Sequence, residues 1–146
     1  MDYNILRKLF VIEIALLFAQ FWMGMSSNLF INIPLNAPFD FFSYAGGIEV
    51  LAHIVNGSLI LFLGFTIIWY SYQIKNPIIL KLSVLAVVFT IIAITSGIVF
   101  LEIFSVPSLY NIDNYFSIAM AMCFLSVFTV FFSEIYVIKK GSEASS

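Results

Sequence analysis

The sequence predicts an all-α fold, a polytopic membrane bundle of four helices with both termini in the cytoplasm. Three observations predict it. The 146 residues are 62% hydrophobic and only 10% charged, whereas a soluble domain is about half apolar and a quarter charged. Mean hydropathy is +1.09. Four apolar runs are each long enough to cross a hydrocarbon core, which takes about 20 helical residues.

The runs cover about 9–31, 48–70, 78–104 and 116–138. Backbone groups in lipid must pair within the segment or in a closed barrel, and the short alternation of a barrel strand is missing. Each run is therefore a helix. The first is too long for a signal peptide and ends without a small-residue cleavage site. Pro34 and Pro107 mark the ends of helices 1 and 3. The residues from Gly141 to Ser146 are small and polar and read as a disordered tail beyond a single domain spanning 1–140.

Orientation follows from the cations. Arg7 and Lys8 precede helix 1, Lys75 and Lys81 flank the link between helices 2 and 3, and Lys139 and Lys140 follow helix 4. These are all six, and they fall on one side of a four-pass topology. The positive-inside rule places that side in the cytoplasm. Phe39, Phe41, Phe42 and Tyr44 in the outer loop, with Trp69, Tyr70 and Tyr72 at the inner end of helix 2, form interfacial belts.

Several function classes are excluded. Six Lys plus Arg against eight Asp plus Glu leave a charge of −2 with no basic stripe, which rules out nucleic acid as a partner. One cysteine rules out a disulfide framework and a CxxC redox pair. Cys123, in an apolar setting, reads as packing.

Small and polar residues at helical spacing mark candidate seams. They are Glu13, Gln20, Gly24 and Ser27 on helix 1, and Glu49, His53, Gly57, Ile60 and Gly64 on helix 2 with Asn56 alongside. Helix 3 offers Ser83, Ala86, Thr90, Ala93 and Gly97; helix 4 offers Met122, Ser126, Thr129 and Ser133. Gly24 and Pro34 are ten apart, as are Gly97 and Pro107, which is consistent with two tandem hairpins or with chance.

The groups able to carry chemistry gather at the outer end. His53, the only histidine, lies roughly 7 Å inside helix 2. Glu49 is one turn above it, with Glu102, Asn111, Asp113, Asn114, Asn28 and Asn32 at the same end. An ionisable group in a membrane is a functional candidate by default. Imidazole is a common metal ligand, and Glu49 is placed to hold its second nitrogen. Equally, a bond between His53 and Glu49 would simply tie the outer end together. No second histidine exists for a bis-histidine heme, but a His53 with Met120 or Met122 pair is chemically allowed. Near the inner ends, Glu13 and Glu134 read either as proton or cation sites, or as side chains that snorkel to the interface; Glu13 could also pair with Lys8.

Three stretches resemble the heme A synthase family in its minimal four-helix prokaryotic form: "FWMGMSSNLFINIPLNAPFD", "IEVLAHIVNG" and "TSGIVFLEIFSVP". The first is similar to the family's glycine-bearing helix and Asp-bearing loop. The second is similar to its Glu followed by an axial His, and the third to its Gly-to-Pro stretch. The resemblance implies heme as cofactor in the outer half of the bundle, with His53 as axial ligand and Glu49 beside it, in a prokaryotic plasma membrane. It departs from the family in four ways, the first being that the outer-loop cysteines of many members are absent. Glu49 and His53 are four apart rather than three, Ile54 stands where Arg is expected, and helix 4 opens "LYNIDNYFSIAMAM" without a second ligand.

Three functions therefore compete: a heme-binding membrane protein, an accessory subunit of a larger respiratory-type complex or homo-oligomer, and a small proton-coupled transporter using Glu13.

Overall fold

In the computed structural model, residues 3–34, 39–103 and 113–143 are described. Four α-helices account for almost all of them: α1 (Tyr3–Phe30), α2 (Gly47–Ile74), α3 (Pro77–Ile103) and α4 (Asp113–Glu143). All four are long and apolar enough to span a membrane. The fold is thus an all-helical bundle of the membrane-spanning kind. Three of the helices, α1, α2 and α4, are longer than their apolar stretches, and α3 matches its stretch in length. α1 starts six residues before the expected position, and α4 ends five residues after it, so the expected tail is helical as far as Glu143. Apolar patterning marks only the apolar part of each helix, while backbone hydrogen bonding continues past it.

The helices form a ring in chain order. α1 packs on α2, α2 on α3, α3 on α4, and α4 closes back on α1. The N-terminal ends of α1 and α3 and the C-terminal ends of α2 and α4 share one end of the bundle. All six cations lie there and are exposed.

The turn at that end is built by local chemistry. Lys75 adopts the left-handed conformation (φ 57°), and its N–H donates to the Tyr72 carbonyl. Asn76 Oδ1 then accepts from the N–H groups of Ile78 (3.1 Å) and Ile79 (3.3 Å). This is an N-cap on α3, with Pro77 in the first helical position, where no N–H is missed. At the opposite end Gly46 precedes α2 with φ 85°, a conformation that disfavours any side chain. Gly47 lies against the Phe41 carbonyl with no room for a Cβ.

The core is a column of Leu6, Phe10, Leu17, Ile60, Ile67, Ile79, Ala86, Val127, Val130, Phe131 and Ile138. Phenylalanines stitch α1 to α4: Phe10 to Phe131 (5.6 Å between ring centroids), Phe18 to Phe128 (4.9 Å) and Phe21 to Phe124 (5.2 Å). The outer surface is apolar, with Trp22, Phe30 and Phe62 prominent on it, as expected where lipid is the solvent.

The α4 seam is not the one expected. Cys123, Val127, Val130, Glu134 and Ile138 face inward. Met122 is 60% exposed, and Ser126, Thr129 and Ser133 are at most half-buried. Their hydroxyls donate to the carbonyls one turn back, of Met122, Leu125 and Thr129. A hydroxyl satisfied by its own helix has no need of a neighbour, so these polar residues do not dictate the inner face.

Candidate functional site

Two polar clusters lie inside the bundle, separated by apolar side chains. The first is centred on α1 and α2. Asn56, 8% exposed, donates through Nδ2 to Gln20 Oε1 (2.8 Å) and to the Leu16 carbonyl (3.0 Å). Gln20 Nε2 lies 3.2 Å from His53 Nε2. The amide nitrogen can only donate, so His53 Nε2 is the acceptor and the proton of a neutral ring sits on Nδ1. Nδ1 is buried and has no partner. Gly24 and Gly57 make room for this network. A Cβ on Gly24 would stand 3.0 Å from His53 Cε1, and one on Gly57 would stand 3.2 Å from Gln20 Nε2.

The expected bond from His53 to Glu49 is therefore replaced by one to Gln20, thirty-three residues away on α1. Glu49 is half-buried at the start of α2, while Asn28 and Asn32 are exposed. The side chains of Glu102, Asp113 and Asn114, and all of Asn111, lie outside what the structure describes.

Of the two ring nitrogens able to take a metal, His53 Nε2 is engaged by Gln20, which is itself fixed by Asn56, while Nδ1 has no partner. Met122 is 60% exposed on the outside of α4, and Met120 packs its sulfur toward Gly97 on α3. Among the described residues, no three His, Cys, Asp or Glu side chains gather into a group able to hold a metal ion.

The second cluster is the one that sequence reasoning undervalued. Glu13 on α1 is 1% exposed and Glu134 on α4 is fully buried. One oxygen of each, Oε2, has no hydrogen-bond partner. The two carboxyl groups are close enough for their charges to act on each other. Glu13 Oε1 lies 3.8 Å from the position of a Gly64 Cβ, so α2 yields space to it. Glu134 Oε1 accepts a hydrogen bond from Ser83 Oγ at 2.6 Å, and Ser83 Oγ is 3.0 Å from Ser71 Oγ. Ser71 and Ser83 are both buried.

Neither acid snorkels. α1 begins at Tyr3, which puts Glu13 ten residues, or roughly 15 Å, along a helix of about 42 Å. Glu134 lies nine residues before the end of α4. Both side chains are instead enclosed within the bundle, Glu13 at 1% and Glu134 at 0% exposure. Lys8 is exposed, as is every other cation, so the expected pairing of Glu13 with Lys8 is not made. The signal lay in the turn spacing of Phe10, Glu13 and Leu17, which puts Glu13 among core residues.

Leu17 (4% exposed) and Ile60 (2%) stand between the two clusters on α1 and α2. The bundle thus holds an acidic cluster toward its cation-bearing end, an apolar layer, and an amide–imidazole cluster toward the other end. Compared with protein-family models, with curated proteins and with solved structures, the chain matches none.

Proposed function

We propose that this integral membrane protein binds and moves protons at the Glu13–Glu134 pair, as a small proton-coupled carrier. One observation carries the reading: two carboxyl groups, on α1 and α4, are buried inside the bundle, each with an unpartnered oxygen, and among the described residues every Lys and Arg is exposed. Burying an uncompensated charge is costly. A bound proton is the smallest species that cancels it, and ionisable groups inside bundles commonly mark proton paths. The apolar layer of Leu17 and Ile60 supports the reading, since a carrier must keep its site from opening to both sides together. By the positive-inside rule, the cation distribution supports a cytoplasmic side for the acidic cluster.

A carbodiimide that reacts with protonated carboxyl groups in apolar surroundings tests this. In membranes at neutral pH, mass spectrometry should find it on Glu13 or Glu134 ahead of the exposed acid Asp40. In proteoliposomes, wild-type protein should relax an imposed pH gradient, and Glu13→Gln and Glu134→Gln should not. No labelling at either residue, together with no proton movement, would overturn the proposal.

A further inference from the structure

We propose that protons reach Glu134 from the cation-bearing end of the bundle along a two-hydroxyl wire, Ser71 to Ser83. The inference rests on the proton-binding reading of the carboxyl pair and adds the route and its direction.

An open cavity of about 510 Å³ lies at the α2–α3 turn, lined by Tyr72, Lys75, Asn76, Pro77 and Leu80 and ending on Ser71. From there the distances are those of hydrogen bonds at each step: Ser71 Oγ to Ser83 Oγ 3.0 Å, and Ser83 Oγ to Glu134 Oε1 2.6 Å. The path joins α2, α3 and α4 in turn, and it ends beside Glu13.

The hydrogen count at Ser83 gives the wire two settings. Its hydroxyl lies within bonding distance of three groups: Glu134 Oε1, Ser71 Oγ and the Ile79 carbonyl at 2.9 Å. A serine has one hydrogen to give and two lone pairs. The Ile79 oxygen can only accept. When Glu134 is ionised, Ser83 donates to it. When Glu134 carries a proton, Glu134 donates to Ser83, and the Ser83 hydrogen is free to turn to Ile79. The backbone carbonyl therefore serves as the resting partner for the hydrogen that the carboxylate no longer takes.

Transfer balances without any other reactant. A proton from cavity water binds the Ser71 oxygen, the original Ser71 hydrogen passes to Ser83, and the original Ser83 hydrogen passes to Glu134 Oε1. Each serine gains and loses one proton, and the carboxylate becomes a carboxylic acid. Rotation of both hydroxyls then resets the wire. Ser71 has no surface open to water (0% exposed), so entry requires a small displacement at the turn, which acts as a gate. The other titratable group facing Glu134 is Glu13 of α1. On α2 and α3, Ser71 and Ser83 face it, and neither titrates; Lys75 and Lys81 of those elements are exposed.

The test is hydrogen–deuterium exchange of the buried carboxyl, followed by infrared spectroscopy on full-length protein in lipid vesicles. The Glu134 band is identified by its loss in Glu134→Gln. Ser71→Ala and Ser83→Ala should each slow its exchange by about a hundredfold or more, the range over which removing a positioned proton-transfer group acts. Ser71→Thr and Ser83→Thr, which keep the hydroxyl, should restore the wild-type rate. A merely structural role would change the band's frequency or the melting temperature without this hydroxyl-specific rescue. Unchanged exchange in both alanine variants would overturn the wire and leave the carboxyl site standing. A spectrum without any carboxylic-acid band sensitive to Glu134→Gln would overturn both.

Discussion

Gly64 of α2 and Val87 of α3 meet at a point where no further carbon fits: a Cβ on Gly64 would stand 2.8 Å from Val87 Cγ2. The same Cβ would stand 3.8 Å from Glu13 Oε1. Close packing of α2 on α3 and the space for a buried acid thus depend on a single missing side chain. Gly64→Ala should destabilise the bundle by about 1–3 kcal/mol, the usual cost of overpacking. Adding Val87→Ala should recover much of the loss, because the clash is with that valine methyl. Thermal unfolding in detergent of the two single variants and the double variant checks the coupling; strict additivity would mean the contact is not the cause.

The topology was legible because it depends on sums. Four apolar runs and the one-sided placement of Arg7, Lys8, Lys75, Lys81, Lys139 and Lys140 survive errors of several residues at any helix end. The site does not depend on sums. Near the end of its apolar run, Glu13 reads as a near-surface group; packing between the helices buries it at 1%. Partner choice was illegible for another reason. Glu49 is the near neighbour of His53 in sequence, but Gln20 meets it because Gly24 and Gly57 let α1 approach α2, and such docking depends on two helices at once. On α4 a stripe of hydroxyls looked like a seam, yet backbone bonding had already satisfied them.

That contrast can be measured. Ser126→Ala, Thr129→Ala and Ser133→Ala each remove a hydroxyl bonded only one turn back on its own helix. Together they should shift stability by no more than about 0.5 kcal/mol per site, the range of surface changes. Ser83→Ala, by comparison, strips Glu134 of its donor in the buried core and should be the most harmful of the four. Unfolding midpoints measured in one detergent rank them.

Asn56 holds the outer cluster by two donated bonds, to Gln20 Oε1 and the Leu16 carbonyl. Asn56→Leu keeps the volume and removes both. Hydrogen bonds between membrane helices contribute about 1–2 kcal/mol at most in model systems, so a loss near 1 kcal/mol is expected. The sharper readout is His53. With Gln20 released, its ring should lose its fixed tautomer, visible as altered ring-nitrogen shifts in solid-state NMR.

The cap on α3 makes a local claim. Asn76 Oδ1 satisfies two N–H groups that α3 leaves open at its start. Asn76→Ala should cost about 1 kcal/mol, and Asn76→Asp should be tolerated, since Asp caps as well as Asn. Because Asn76 also lines the cavity that ends on Ser71, fraying there should speed amide exchange at Ile78 and Ile79. Equal exchange in wild type and Asn76→Ala would remove the cap from the account of the turn.

Tyr44, outside the helices, contributes to the pH dependence of stability on the alkaline side. Burial, and after it the charge of Asp40, hold its phenol above the ordinary value of 10.0. The folded state therefore keeps the proton that the unfolded chain would release first. Its contribution is intact below the unfolded value and is lost as pH rises through the higher folded one. Ultraviolet titration of wild type should show a phenolate step above the ordinary value. Tyr44→Phe should remove that step and flatten the alkaline decline in melting temperature. Asp40→Asn should move the step only partway down, because burial is the larger cause. If Asp40→Asn returned it fully to the ordinary value, charge rather than burial would be what holds the proton.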